Sequence, residues 1–280
     1  MKALARWMWA FLRHHRPALV GSILVLAVVA TAVIGPLVVS YAPDQVFTNK
    51  LPAGGEHPFG TDSQGYDIFT RMVHGARTTL AIALASMSMS LVLGSLIGAI
   101  AGFAGGKTDL IVMRLVDIAM SFPSFLLAMV TVAILGKELE NLIIAVGIVG
   151  APMFARQVRA EVLRVVEADY VMAARSLGLD AARILFRHVI PNSLGPIIVL
   201  GTLGMGSAIL DVAGLNFLGL GGDPFRVPEW GLILTQGWRK LPAANLQVAV
   251  AGGAIFVTVL GFNLLGDGLK DELDPRTRRR

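Results

Sequence analysis

From Ala18 to Val39 no side chain carries a charge, and nearly every residue is apolar. Crossing the hydrocarbon core of a bilayer as a helix takes roughly 20 such residues. Five further stretches repeat the pattern: about Thr79 to Phe103, Leu110 to Leu135, Leu142 to Phe154, Ser193 to Leu220 and Leu246 to Leu265. The chain is therefore expected to be an all-α integral membrane protein with six transmembrane helices. Composition agrees: 55% of the residues are apolar and 15% charged, whereas a soluble domain carries about a quarter charged residues. Pro123 is expected to kink the third span. The fourth is short, and its helix is expected to run on into the polar segment that follows.

The first span is not a secretory signal. Its apolar run is too long, no small-residue cleavage site follows, and the preceding stretch Met1–Arg16 is basic and aromatic. Six spans place both termini on one side. The termini, the turn from Lys107 to Arg114, and the segment between spans four and five hold about 17 of the 24 Lys and Arg residues. The positive-inside rule makes that side the cytoplasm. The same reading absorbs the net charge of +5 without invoking nucleic acid. The expected division is 1–76 for the first helix with its extracytoplasmic loop, 77–267 for the main membrane domain, and 268–280 for a cytoplasmic tail.

One polar segment, Glu161 to Asn192, interrupts the greasy pattern and has helical periodicity of its own. Tyr170, Ala173, Ala174 and Leu177 recur at i, i+3, i+4 and i+7, one face of a short helix. Asp169 is placed to cap it and Gly178 to end it in the left-handed conformation. Asp180 can start a second helical stretch, which Pro191 is expected to stop. Inside the membrane, Ser90, Gly94, Gly98, Gly102 and Gly106 put a small residue at every fourth position of span two, a stripe that lets helix backbones approach closely. The sequence leaves open whether the partner helix belongs to this chain or to a second subunit.

Catalytic and cofactor signals are weak. Ala101–Asp109 (AGFAGGKTD) suggests a phosphate loop, but Ala101 stands where glycine is required, and the stretch joins two membrane helices. Any ATP and magnesium chemistry is then expected on another polypeptide. The five histidines lack zinc-type spacing, and there is no cysteine. No metal or catalytic residue is assigned. Three acids lie in or at the membrane. Asp117 has Arg114 one turn before it, and Asp267 lies near Lys270. Asp211 has no basic neighbour within a turn and, with Asn216, is a candidate for a transport pathway. A stand-alone channel or secondary carrier would have to rely on it.

The polar segment resembles the coupling motif of permease subunits of binding-protein-dependent ABC importers: EAA, three residues, Gly, nine residues, then Ile-x-Leu-Pro. Ala173, Ala174, Gly178 and Pro191 match in register; Met172 and His188 depart from it. HPFGTDSQGYDIFTRMVHGARTTL, MRLVDIAMSFPSFLLA, NFLGLGG, PEWG and FNLLGDGLKDELDP are similar, in order, to the C-type permease of dipeptide, oligopeptide and nickel importers, with Tyr66 at a position usually held by arginine. The resemblance implies a type I importer permease fold in a bacterial-type inner membrane, a homologous second permease, two cytoplasmic ATPases, and an extracytoplasmic binding protein. It implies that Asp169, Tyr170, Ala173, Ala174, Arg175, Leu177 and Gly178 belong to a coupling helix seated in an ATPase groove. Peptide cargo is expected ahead of nickel, because no histidine or acid cluster lines the spans.

Overall fold

The computed structural model describes residues 15–47, 51–223 and 226–273. The amino-terminal stretch up to residue 14, residues 48–50, Pro224 and Phe225, and the tail from residue 274 lie outside them. Nine helices build the described chain: α1 (Arg16–Val38), α2 (Ile68–Ala104), α3 (Gly106–Met120), α4 (Ser124–Leu135), α5 (Leu139–Val166), α6 (Asp169–Ser176), α7 (Ala181–Phe217), α8 (Trp230–Trp238) and α9 (Asn245–Leu273). Five of them (α1, α2, α5, α7 and α9) are long and apolar enough to cross a membrane. α3 and α4, bent by 84° across the Ser121–Pro123 break, make the sixth span as one broken helix. Proline explains the break: it has no N–H to continue the ladder and disfavours helical geometry in the residue before it.

The small-residue stripe of α2 meets its partner within the chain. α5 lies alongside in the same direction. A Cβ on Gly94 would stand 2.7 Å from the Ala151 carbonyl oxygen, and one on Gly98 would stand 2.9 Å from the Arg159 nitrogen. Gly102 faces Val162, and the Ser90 hydroxyl donates to the Gly147 carbonyl at 2.8 Å. Gly106 falls outside the contact: it opens α3, and no atom approaches it. α5 also runs on past Phe154, as expected. Its arginines extend the contact beyond the apolar run, with Arg156 pairing with Asp117 at 2.6 Å and Arg159 pairing with Asp109. The partner of Asp117 is thus Arg156 on α5 and not its sequence neighbour Arg114.

α1 packs against α9 and α2 on the outside of the bundle. His15 lies 3.5 Å from Glu272, so the two ends of the described chain meet at one end of the molecule. At the opposite end, residues 41–47 and 51–67 come together through bridges Val46–Tyr66, Gly54–His57 and Thr61–Asp67. His57 is buried there: its Nδ1 lies 2.8 Å from Asp67, and its ring stacks on Tyr41. The other oxygen of Asp67 accepts from the Thr70 nitrogen at 2.7 Å and caps α2. That cap starts α2 at Ile68, well before the apolar run begins at Thr79.

Candidate functional site

Three features could carry function: the α6 unit at one end, a cavity inside the bundle, and a buried polar knot at the other end.

The α6 unit hangs below α5 and leads into α7. Val171 and Ala174 face inward and join Val165, Leu179, Ile184 and Val189 in a small apolar cluster. The expected face therefore divides: Ala174 is buried, whereas Tyr170 is 47% exposed, Leu177 is 81% exposed, and Ala173 and Arg175 are also exposed. Arg175 makes no ion pair among the described residues. The surface it shares with Tyr170, Ala173 and Leu177 is a short apolar ridge with one cation.

Capping differs from the expectation. The N-cap is Ala168, which has no side-chain bond, and Asp169 is the first helical residue. Asp169 therefore acts only through its charge beside the positive end of the helix dipole. With Ala168 as N-cap, the third helical position is Val171, so a glutamate at 172 would not close a capping box. The far end supplies the order instead. The Leu179 nitrogen donates to the Ala174 carbonyl at 3.2 Å, and the Gly178 nitrogen donates to the Arg175 carbonyl at 2.9 Å. This is a Schellman ending, with Gly178 at φ +79°. Replacing Gly178 by valine is expected to cost roughly 1–2 kcal/mol at this site. Hydrogen exchange should show faster opening over residues 169–178, with the membrane helices unchanged.

Beyond the turn, Asp180 accepts from the Arg183 nitrogen at 2.8 Å and caps α7, as expected. Pro191 does not stop that helix. A five-residue π turn, Leu185–Val189, lies immediately before it. The widened turn relieves the clash of the proline ring with the carbonyl of Arg187. The Asn192 side-chain amide donates to the His188 carbonyl at 2.6 Å. α7 is continuous to Phe217.

The cavity, of about 600 Å³, lies between α2, the α3–α4 bend, α5 and α7. Pro123 and Phe122 at the bend form part of one wall, so the broken span shapes the cavity. Asp211 lines it and is the one charged group in the lining among the described residues. Asn216 does not. It is fully buried near the end of α7, where its amide donates to Glu229 at 2.6 Å. Asn216, expected beside Asp211 in the pathway, thus lies apart from this cavity and bonds Glu229.

Glu229 is the residue that sequence reasoning missed. It is 0% exposed. One carboxylate oxygen accepts from the Thr79 hydroxyl at 2.9 Å; the other accepts from Asn216 and from the Leu232 nitrogen at 2.9 Å. It therefore caps α8 and ties it to α2 and α7. The Trp230 indole adds a bond to the Met72 carbonyl at 2.9 Å. Gly221 is required beside this knot, since a Cβ there would overlap the Asn216 side chain. The juxtaposed PEWG and NFLGLGG motifs were the available signal.

A bundle of membrane-crossing helices with one broken span, a cavity among them and a short exposed helix at one end has the parts of a transport permease. The chain belongs to the binding-protein-dependent transport system inner membrane components, a family matched over residues 94–279. Residues 4–53 match the N-terminal transmembrane domain of oligopeptide transport permease C. Among its relatives, the dipeptide transport system permease protein DppC of Alkalihalophilus pseudofirmus is 42% identical, over 99% of this chain and 92% of its own length. The oligopeptide transport system permease protein OppC of Bacillus subtilis is 38% identical over the same shares. The glutathione transport system permease protein GsiD of Pectobacterium atrosepticum is 39% identical over 96% and 89%.

Proposed function

We propose that this chain is one of two permease subunits of an ATP-driven, binding-protein-dependent peptide importer. The carrying observation is α6: an eight-residue helix held from behind by its own cluster, leaving Tyr170, Ala173 and Leu177 outward. A small, stiff helix with an apolar outer ridge suits a groove in a partner protein. That partner is a cytoplasmic ATPase, which holds ATP and magnesium; this chain performs no bond-breaking step. The arginine and lysine distribution supports placing α6 and both termini in the cytoplasm, with the α8 end outside.

A homologous second permease closes the open side of the cavity, and an extracytoplasmic binding protein delivers cargo at the α8 end. ATP binding draws two ATPases together and carries both coupling helices with them. The bundle then exposes its cavity to the outside; hydrolysis resets it. The α2–α5 pair, with backbones in contact along the glycine stripe, transmits the displacement as a rigid unit. Relatives named for dipeptides, oligopeptides and glutathione support a peptide cargo, and the Met-rich, nearly uncharged cavity lining suits it better than nickel.

The test is uptake of a labelled dipeptide into proteoliposomes. The full assembly of two permeases, ATPases and loaded binding protein is expected to accumulate peptide only with ATP. Uptake by this chain alone, without ATPases, would favour a channel or secondary carrier instead.

A further inference from the structure

The cavity lining is unequal in its chemistry. Three methionines, Met87, Met120 and Met153, contribute to it, and Asp211 is its single charged group among the described residues. Asp211 and Ser207 stand one helical turn apart on α7 and both line the cavity. Neither side chain makes a hydrogen bond or ion pair among the described residues; of the other polar lining side chains, Ser90 donates to the Gly147 carbonyl at 2.8 Å, while Ser124 and Gln157 remain as further open polar groups. Asp211 lies toward the Phe217 end of α7, the end that also carries α8.

A carboxylate in so apolar a place is expensive unless something pairs with it. Nothing among the described residues does. A bare metal ion is a poor occupant, because no group of three His, Cys, Asp or Glu side chains converges among the described residues. An ammonium group fits: it brings one positive charge and three donors, and the site offers one carboxylate and one hydroxyl as acceptors. The flexible methionines can then accept varied side chains beside that fixed point.

Resting on the peptide-import reading, we propose that Asp211, with Ser207, is the subsite that receives the α-ammonium group of a peptide entering the cavity. Recognition of this end is common to every unmodified peptide, whereas side-chain selection is left to the methionine wall. The cavity volume lies within the range of small-ligand sites, roughly 300–1,000 Å³.

The experiment uses the full reconstituted importer with a free-amine dipeptide, comparing wild type with Asp211→Asn and Asp211→Glu across pH. The same binding protein feeds all three, so its own pH dependence cancels in the ratio. Peptide α-amines titrate near about pH 8, so at about pH 7 the Asn variant is expected to import about tenfold more slowly than wild type, with the gap closing to less than about twofold near pH 9.5. Asp211→Glu should recover most of the wild-type rate. A peptide with a permanently charged trimethylated amino terminus should show a gap that does not change with pH. Equal import by Asp211→Asn near neutral pH would overturn the assignment. So would a free-amine deficit of the same size at every pH, because that is the mark of a merely structural acid. A wild-type assembly that imports nickel but no peptide would overturn the peptide reading itself, and the assignment with it.

Discussion

Gly98→Leu is expected to prevent the bundle from assembling. The Cβ alone would be driven onto the Ala155 carbonyl oxygen and within 2.9 Å of the Arg159 nitrogen, and Val158 closes the remaining side. These are mostly backbone atoms of a helix, which cannot rotate away as a side chain can. α2 and α5 would have to separate, breaking the Ser90–Gly147 bond and straining the Gly94 contact on the same stripe. Overpacking of this kind costs about 3 kcal/mol, a large share of the stability of an ordinary domain. In detergent, the variant should aggregate or melt far below wild type. Gly253→Leu is the matched control, because a Cβ at Gly253 meets nothing within 4 Å. It should melt like wild type. If both variants behave alike, close α2–α5 packing is not what holds the bundle.

The second large effect is at Glu229. Alanine there leaves three buried donors, on Thr79, Asn216 and Leu232, without their acceptor. Each unsatisfied buried donor costs about 1–3 kcal/mol, so a combined loss of about 3 kcal/mol or more is expected. The loss should be local as well as global. α8 is capped by this carboxylate, and its attachment to α2 and α7 runs through it. Trypsin or another protease should cut near residues 226–240 in Glu229→Ala and not in wild type. Glutamine should rescue in part. Its one carbonyl oxygen can serve Asn216 and Leu232, while its amide turns toward the Thr79 hydroxyl, which can accept. Equal loss in both variants would mean that charge, and not acceptor count, governs the knot.

The membrane spans were legible because the bilayer demands long apolar runs, and the break at Pro123 because proline acts locally. The α2 stripe was legible as a packing surface, but its partner was not: nothing in Gly94 or Gly98 says which helix arrives. Helix ends were misjudged where polar residues sit inside the bundle. Ile68 to Gly75 contains Arg71 and His74 and so reads as the end of the outer loop, yet Asp67 caps a helix there. Pro191 reads as a stop, and only the π turn before it explains why the helix continues. Asp169 looked like a cap by residue type, while the chain turns one residue earlier, at Ala168. Glu229, in a loop of prolines and tryptophans, looks solvated. Its burial depends on Thr79 and Asn216, distant in sequence, converging on one carboxylate. Of the two pathway candidates, Asp211 reached the cavity. Asn216, little more than one turn further along α7, reached the Glu229 knot instead.

If the outward ridge of α6 receives the work of ATP hydrolysis, as proposed, Leu177 is the side chain to change. At 81% exposure Leu177 adds little to the fold of its own chain. Leu177→Asp should therefore leave the melting of the isolated chain unchanged. In the assembly, a charge set into an apolar groove should weaken ATPase binding at least about tenfold, so that the ATPase pair no longer co-purifies and ATP-driven peptide uptake is lost. Full retention of the ATPases together with wild-type uptake by Leu177→Asp would place the coupling surface elsewhere.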